Sequence, residues 1–504
     1  MSGRHTIDRV SFATCVAVIL LVCLPLARYP ETGGQVLLDL YDWIAHELGY
    51  LYLLGGMATL LFLAWLALGR FGTVVLAAAG EGPEFSRTSW AAMLFCAGIG
   101  AGLLAWAPIE WAYYLDAPPF GFEPRSVAAV EWAATYGIFH WGFTAWAFYC
   151  LPTVALAYAY YVKRTRGLKF SNSCLYLLGG RENTRAGRLI DLCFMIGLIG
   201  GAGSSLGFST PMISALLGRL TGLTAGFGME FGVITASVAL FSVSVWLGLR
   251  RGIKRLSEFN LWLALALLAF VLLAGPTLFL LKTSLNSVGL MLDNFIRMNS
   301  WTDAFTGSEF VENWTIFYWA WWIAYGPFVG LFVTRISRGR TIREVVFGML
   351  GYGTLGCALF YMIIGNFGLH LELSGAVAVS ETLQEQGAAQ ATASILDALP
   401  LGGVVMALYA LVGLVFSVTT YDSASYILAS SATANLPAGD DPERWHRVFW
   451  ALALAVLPLT LLFIGGLKVV QTATLVVSLP LLLIAVLMAY SLARQLAADH
   501  DPPA

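Results

Sequence analysis

The chain of 504 residues reads as an all-α polytopic membrane protein, and three observations carry that reading. Hydrophobic residues make up 58% of it and charged ones only 12%, with a mean hydropathy of +0.75, far from soluble globular composition. Apolar runs of about twenty residues, long enough to cross roughly 30 Å of hydrocarbon, recur twelve times. Basic residues fall between those runs with a strong side-to-side bias.

The runs cover 10–27, 47–69, 90–115, 131–162, 187–217, 228–249, 258–282, 312–334, 345–367, 400–433, 445–465 and 470–494. Lys and Arg accumulate in cytoplasmic loops. With both termini inside, 22 of the 28 basic residues lie on the inner side, and only Arg28, Arg125, Arg219, Lys282, Arg297 and Lys468 lie outside. The inner set includes Arg4, Arg166, Arg250, Arg251 and Lys254. A wrong number of crossings would scramble this asymmetry, so twelve spans with cytoplasmic ends are expected.

Composition also excludes classes. A net charge of −2 leaves no footprint for nucleic acid, and no Cys/His cluster has zinc spacing. Six cysteines (Cys15, Cys23, Cys96, Cys150, Cys193 and Cys357) lie in apolar runs, where the thiol is a small buried hydrophobe. Cys174 is the lone loop thiol, and no structural disulfide is expected. The first run lacks a small-residue cleavage site and is expected to be a retained span. With short ends, no soluble sensor or catalytic domain is expected, and no metal cluster, nucleophile–base pair or nucleotide loop suggests an enzyme.

Span three contains Ala97-Gly98-Ile99-Gly100-Ala101-Gly102, followed by Pro108 and Glu110. Small residues in a row permit close helix packing. Equally, they permit an unwound midpoint, which transporters use to hold ions and substrate; the kinking Pro108 and the polar Glu110 favour the break. Span four carries His140-Trp141-Gly142-Phe143-Thr144-Ala145-Trp146-Ala147-Phe148-Tyr149, in which Trp146 and Tyr149 share a face. His140 alone is a hydrogen-bonded core residue. Span five offers the hydroxyls of Ser204, Ser205, Ser209 and Thr210 among glycines. Residues 283–300 alternate apolar and polar at helical spacing and are expected to lie along the outer interface.

Span eight and the loop behind it, 313–343, are the densest part of the chain. Ordinary membrane helices keep Trp at their interfaces, yet Trp319, Trp321 and Trp322 lie inside the run. Ring faces carry negative potential, so rings converging in a dry cavity receive a quaternary ammonium cation. The basic loop that follows, Arg335 to Arg343, anchors topology and headgroups, or pairs with other inner loops as a gate. The outer loop 371–400, without Lys or Arg, is expected to be a solvated cap. Span ten closes the set with Phe416-Ser417-Val418-Thr419-Thr420-Tyr421-Asp422-Ser423. Its hydroxyls either bond back to their own backbone or hold a hard cation such as sodium. Asp422 has to be paired or wet, because an intramembrane carboxylate facing lipid is costly.

The string Trp314-Thr315-Ile316-Phe317-Tyr318-Trp319-Ala320-Trp321-Trp322 resembles the signature of the betaine/choline/carnitine transporter (BCCT) family. So does Thr334-Arg335-Ile336-Ser337-Arg338-Gly339-Arg340, where the family begins with Ala. The segment from His140 to Tyr149 and the glycines from Gly98 to Gly102 match as well, and the similarity runs over all twelve spans. It implies a leucine-transporter-type five-plus-five inverted repeat with two extra N-terminal helices. The divisions would be accessory helices at 1–89, a first repeat at 90–282 (spans three to seven), an outer-interface helix and loop at 283–311, a second repeat at 312–495 (spans eight to twelve) and a cytoplasmic tail at 496–504. Members are commonly trimers in the bacterial inner membrane.

Carried over by position, the resemblance implies an aromatic box of Trp141, Trp146, Tyr149 and Trp322, with Trp319, Trp321 and Tyr325 along the pathway. Tyr113 matches a substrate-facing Tyr of the carnitine branch. Phe416, Thr419 and Thr420 match the sodium-coordinating pattern of the betaine symporters, with carbonyls near Cys96 and Ile99. Ser204 and Ser205 would form a second sodium site if hydroxyls there stand in for the family's Thr. Pro327-Phe328-Val329 also follows the symporters, and 257–270 lacks the Arg with which sodium-independent exchangers replace the ion. The stretch from Pro108 through Pro118 to Pro124 instead resembles the carnitine/γ-butyrobetaine exchangers. Gly102 stands where choline-selective members tend to have Asp. The expected function is therefore secondary transport of a trimethylammonium zwitterion, glycine betaine or carnitine in type, by sodium symport. The alternatives are sodium-independent exchange and, from another class, an onium-binding membrane sensor.

Overall fold

The computed structural model describes residues 6–78, 80–165, 167–247, 250–434, 436, 441–465 and 467–500, with backbone alone for 250–254. Of the inner basic set, Arg4 and Arg166 and the side chains of Arg250, Arg251 and Lys254 lie outside the described residues, as do residues 501–504 of the expected tail. The described chain is helical almost throughout, and its extended pairings are two isolated bridges, Ile7 with Thr433 and Val75 with Thr341.

In order, the helices begin with α1 (Arg9–Arg28), α2 (Pro30–Leu68), α3 (Arg87–Ala97), α4 (Ala101–Trp106), α5 (Glu110–Asp116) and α6 (Val127–Val162). They continue as α7 (Arg185–Thr221), α8 (Phe227–Leu247), α9 (Arg250–Ala274), α10 (Thr277–Asp293), α11 (Phe295–Ser300) and α12 (Val311–Ile336). The last six are α13 (Ile342–Leu373), α14 (Val379–Gln386), α15 (Ala388–Asp397), α16 (Gly402–Ser431), α17 (Arg444–Ile464) and α18 (Leu467–His500). Among the described residues, eleven of these are long and apolar enough to cross a membrane. The remaining apolar run, 90–115, is divided among α3, α4 and α5, none of which could cross alone. Helices α6 and α12 are almost wholly buried, whereas α1 and α9 turn much of their apolar surface outward. In a membrane protein that outward surface meets lipid.

Two segments depart from the sequence expectations. Span seven ends at Ala274, since Pro276 lacks a backbone N–H, and Thr277 starts the separate helix α10. The outer loop 371–400 is a pair of packed helices, α14 and α15, and not a solvated cap. Val379 and Leu383, and Ala391 and Ile395, recur at helical spacing and are buried, while Glu372 accepts from the N–H groups of Val379 (2.7 Å) and Ser380 (3.1 Å) at the start of α14. Helix α18 continues through His500, so the described part of the 496–504 tail is helical. Cys174, expected as a loop thiol, is buried, and burial pushes its thiol up to about 11, well away from a reactive thiolate.

Basic residues separate onto two faces. On one, the chain ends meet the loops: the Asp8 N–H donates to the Ala432 carbonyl (2.8 Å), Arg188 pairs with Asp8 (3.6 Å) and Lys163 with Asp499 (2.6 Å). The loop after α12 packs on the same face. There Arg338 pairs with Glu81 at 2.7 Å and holds that carboxyl below its usual range, and Arg340 lies over the Trp90 ring (4.9 Å). On the opposite face basic residues pair with acids: Arg125 with Asp116 (2.8 Å) and Glu372 (3.0 Å), Arg219 with Asp397 (3.5 Å) and Lys468 with Asp42 (3.6 Å).

Candidate functional site

The site is built around the break between α3 and α4. Helix α3 ends at Ala97 with Gly98 as its cap, and Gly100 is fully extended (φ −155°, ψ −177°) before α4 begins. A side chain at Gly98 has no room, because a Cβ there would lie 2.6 Å from the Cys357 sulfur and 2.8 Å from the Trp146 ring. From the other side Gly353 of α13 lies so close under the same indole that it too admits no Cβ. Trp146 is thus clamped between α13 and the break, in one orientation.

Around Trp146 the rings of α6 and α12 form a wall. Trp146 stands edge-on to Tyr149 (5.5 Å, 80°), and Tyr149 edge-on to Trp322 (5.8 Å, 84°). Trp322 in turn stacks on Trp321 (5.0 Å, 11°) and meets Trp141 at 4.6 Å and 70°. Three indoles of the wall are held by their N–H: Trp322 donates to the His140 carbonyl (2.8 Å), Trp321 to the Gly201 carbonyl (3.1 Å) and Trp141 to Glu110 (3.3 Å). The offset and edge-to-face geometry leaves π faces turned toward a common space, as cation recognition needs.

That space is a cavity of about 2330 Å³. Its inner end is lined by Gly98, Gly102, Trp141, Trp146, Tyr149, Ser205, Trp321, Trp322 and Tyr325, and its mouth by Lys169, Arg335, Arg338 and Arg444 on the basic face. Toward the opposite face a second aromatic layer covers it. Tyr113 and Trp106 pack on Trp314 (4.9 and 5.8 Å), and Trp106 on Phe208 (5.2 Å). Tyr113 therefore lies in this roof and not on the cavity wall. Trp319 lies outside the cavity as well, fully buried against Phe139 (5.4 Å) and Phe148 (6.0 Å).

The oxygen-bearing residues of α16 face the same space. Phe416, Thr419 and Thr420 line the cavity beside Cys96, Ile99 and Phe328. Both threonine hydroxyls donate to the Phe416 carbonyl at 2.9 Å, which leaves their lone pairs for a cation. The two hydroxyl oxygens, next to backbone freed by the break, suit a hard monovalent ion, and the Phe416 carbonyl could join them only if the hydroxyls rotated away from it. Ser205 lines the cavity, whereas Ser204 is turned away and bonds to Thr474 (2.7 Å). Asp422 has the partner its burial demands, Arg447 at 2.5 Å, and that guanidinium lies over Tyr426 (5.3 Å) on the cavity wall.

Glu110 does more than its isolated position in the sequence suggests. It is completely buried and accepts from the hydroxyls of Tyr114 (2.5 Å), Tyr318 (2.6 Å) and Tyr361 and from the Trp141 N–H. His140, held between Tyr114 (2.9 Å) and Thr315 (3.0 Å), is the hydrogen-bonded core residue its setting predicts. A carboxylate at membrane depth signals a cluster; nothing in the sequence points to Tyr361 as a partner of Glu110, or to Gly353 as the seat of Trp146.

A chamber lined with aromatic faces, open to one side of a helical membrane protein and roofed on the other, is that of a membrane transporter. Comparison with known families makes the class specific: the model of the betaine/carnitine/choline family transporters matches residues 10–501, and the chain belongs to that family. It is similar to an uncharacterized transporter of Escherichia coli K12, YeaV, with 37% identity over 87% of this chain and 92% of that one. It is also similar to a carnitine transporter of Acinetobacter baumannii, 33% identical over 98% of this chain and 90% of the relative. A glycine betaine transporter of Acinetobacter baylyi is 33% identical over 97% and 73%. The protein is a transporter and not an enzyme.

Proposed function

We propose that the protein carries a trimethylammonium zwitterion of the glycine betaine or carnitine type, coupled to sodium. The observation that carries this is the aromatic wall of Trp141, Trp146, Tyr149, Trp321 and Trp322 on one cavity. Onium cations bind such faces by cation–π attraction. The relatives named for carnitine and for glycine betaine support the substrate class. Sodium at Thr419, Thr420 and the Phe416 carbonyl, bridging to the backbone of Cys96 and Ile99, would hold the broken span against α16. Ion and substrate then stabilise one another reciprocally. Rocking of one bundle against the other around the fixed site gives alternating access.

In this reading the stretch 87–116 is the twelfth crossing, since both ends of the described chain sit on one face and an even number is required. The basic face is cytoplasmic, as the charge bias favours, the membrane is the bacterial inner membrane and the assembly is a homotrimer. Sodium-independent exchange is the second reading, and the loop from Pro118 to Pro124 favours it.

Proteoliposome uptake of glycine betaine, carnitine, γ-butyrobetaine and choline, each with sodium and with potassium, tests both. Accumulation of unmodified betaine or carnitine only with inward sodium, weakened in Thr420→Ala, is expected. Full counterflow without sodium overturns the coupling and leaves the substrate class standing; no accumulation of any onium compound overturns the whole reading.

A further inference from the structure

We propose that Glu110 is the fixed counter-charge of the aromatic chamber and sets its preference for a cation over a neutral group of the same shape, acting through Trp141. The inference rests on the proposed onium substrate. Four single-proton donors converge on this carboxylate: three tyrosine hydroxyls and the Trp141 indole N–H. A group that receives four donors and gives none acts as the acceptor-only, ionised form does. Among the described residues no Lys or Arg pairs with it. The one basic neighbour is His140, whose Nδ1 lies 3.5 Å away and 2.9 Å from the Tyr114 hydroxyl. With the Tyr114 proton given to Glu110, a neutral His140 that donates from Nδ1 to the Tyr114 oxygen and accepts at Nε2 from Thr315 meets both of its contacts; the negative charge is then satisfied by dipoles and not cancelled by a cation, and in a dry interior its field reaches further than in water.

Trp141 carries that field to the cavity. Its N–H faces Glu110 (3.3 Å) while its ring lines the chamber beside Trp322. Hydrogen bonds to an ionised acceptor are strong, and they polarise the donor. Electron density withdrawn from the N–H bond moves onto the indole ring, so the face turned to the substrate becomes more negative. Glu110 is therefore a positioning and specificity residue that never touches the substrate.

The test compares glycine betaine and γ-butyrobetaine with their isosteres in which a tert-butyl group replaces trimethylammonium, binding each by calorimetry to the purified full-length protein. Wild type should favour the onium member of each pair. In Glu110→Gln, which keeps the shape and an acceptor oxygen, onium affinity should fall about three- to thirtyfold, the span of a cation–π contact, while the isostere is unchanged. Trp141→Phe, which keeps a ring and removes the N–H, should move the ratio in the same direction, and it decides the matter if Glu110→Gln does not fold. Equal loss of both ligands, or an unchanged ratio in the folded variants, overturns the counter-charge and leaves Glu110 a structural strut. A wild type with no preference for the onium member overturns the proposed function instead.

Discussion

Replacing Trp322 separates the two tasks that one indole performs. Its ring stacks on Trp321 at 5.0 Å and meets Trp141 at 4.6 Å, and its N–H occupies the His140 carbonyl at 2.8 Å. Trp322→Phe retains a ring but leaves that buried carbonyl without its donor, a loss of about 1–2 kcal/mol of stability present with or without substrate. Trp322→Leu suffers the same loss and also forfeits the π face. A desolvated cation–π contact contributes about 1–2 kcal/mol, so the Leu variant should bind betaine or carnitine about five- to thirtyfold more weakly. The Phe variant should lie much nearer wild type. Thermal unfolding in detergent reads the first effect, and calorimetric titration of substrate the second. If Phe weakens binding as much as Leu, the ring face is not what recognises the ligand; if Leu binds as wild type does, the cage lies elsewhere.

Gly353→Ala pushes a methyl into the Trp146 indole, and overpacking of this kind costs about 1–3 kcal/mol; it should lower the unfolding temperature and weaken substrate binding together, and a variant with unchanged affinity would show that Trp146 is free to move. Cys96, partly exposed on the cavity wall, should react in a Cys193→Ser background with a membrane-impermeant thiol reagent added from the basic face, more slowly when glycine betaine is present. Labelling confined to the opposite face would contradict the open mouth. Asp422→Asn takes the carboxylate from the buried Arg447; because Asp422 itself is partly exposed, the loss lies between the roughly 0.5 kcal/mol of exposed pairs and the roughly 4 kcal/mol of buried ones. The double variant with Arg447→Met should recover part of it, and strict additivity of the two single losses would argue against direct coupling.

The spans and the aromatic wall were legible because each rests on a local pattern. Apolar length marks the helices, charge bias sorts their ends, and the rings of α6 and α12 sit at helical spacing. The Gly98 to Gly102 break was legible for the same reason, since glycine in mid-span weakens a helix wherever it is. Facing was harder to read. Trp319 and Trp321 lie two positions apart on a helix buried all round, and no apolar stripe on such a helix tells which side meets a cavity. The same holds for Ser204 and Ser205, neighbours of which one bonds to Thr474 and the other meets the chamber. The seat of Trp146 was illegible because Gly353 and Cys357 come from a distant helix without any motif. The 371–400 segment misled through its charge: of the acidic residues that suggested a solvated loop, Glu372 caps α14 and pairs with Arg125, and Asp397 at the end of α15 pairs with Arg219.

Glu110 also bears on how such a chamber can change shape. Its bonds join α5, α6, α12 and α13 at one buried point. Separating any of the four would strand a donor or the charge itself away from water, so they travel as one body. Bending is then least costly where the helical ladder is already reduced to single turns, at the two interruptions flanking α4, around Gly98 to Gly100 and Ala107 to Ile109, which are crossed by isolated bonds such as Ile99 N–H to the Cys96 carbonyl and Ile109 N–H to the Trp106 carbonyl. Helix α4, which carries Trp106 of the roof, is thereby suspended between two hinges as a short rotating segment, and its tilt would decide which end of the chamber is open.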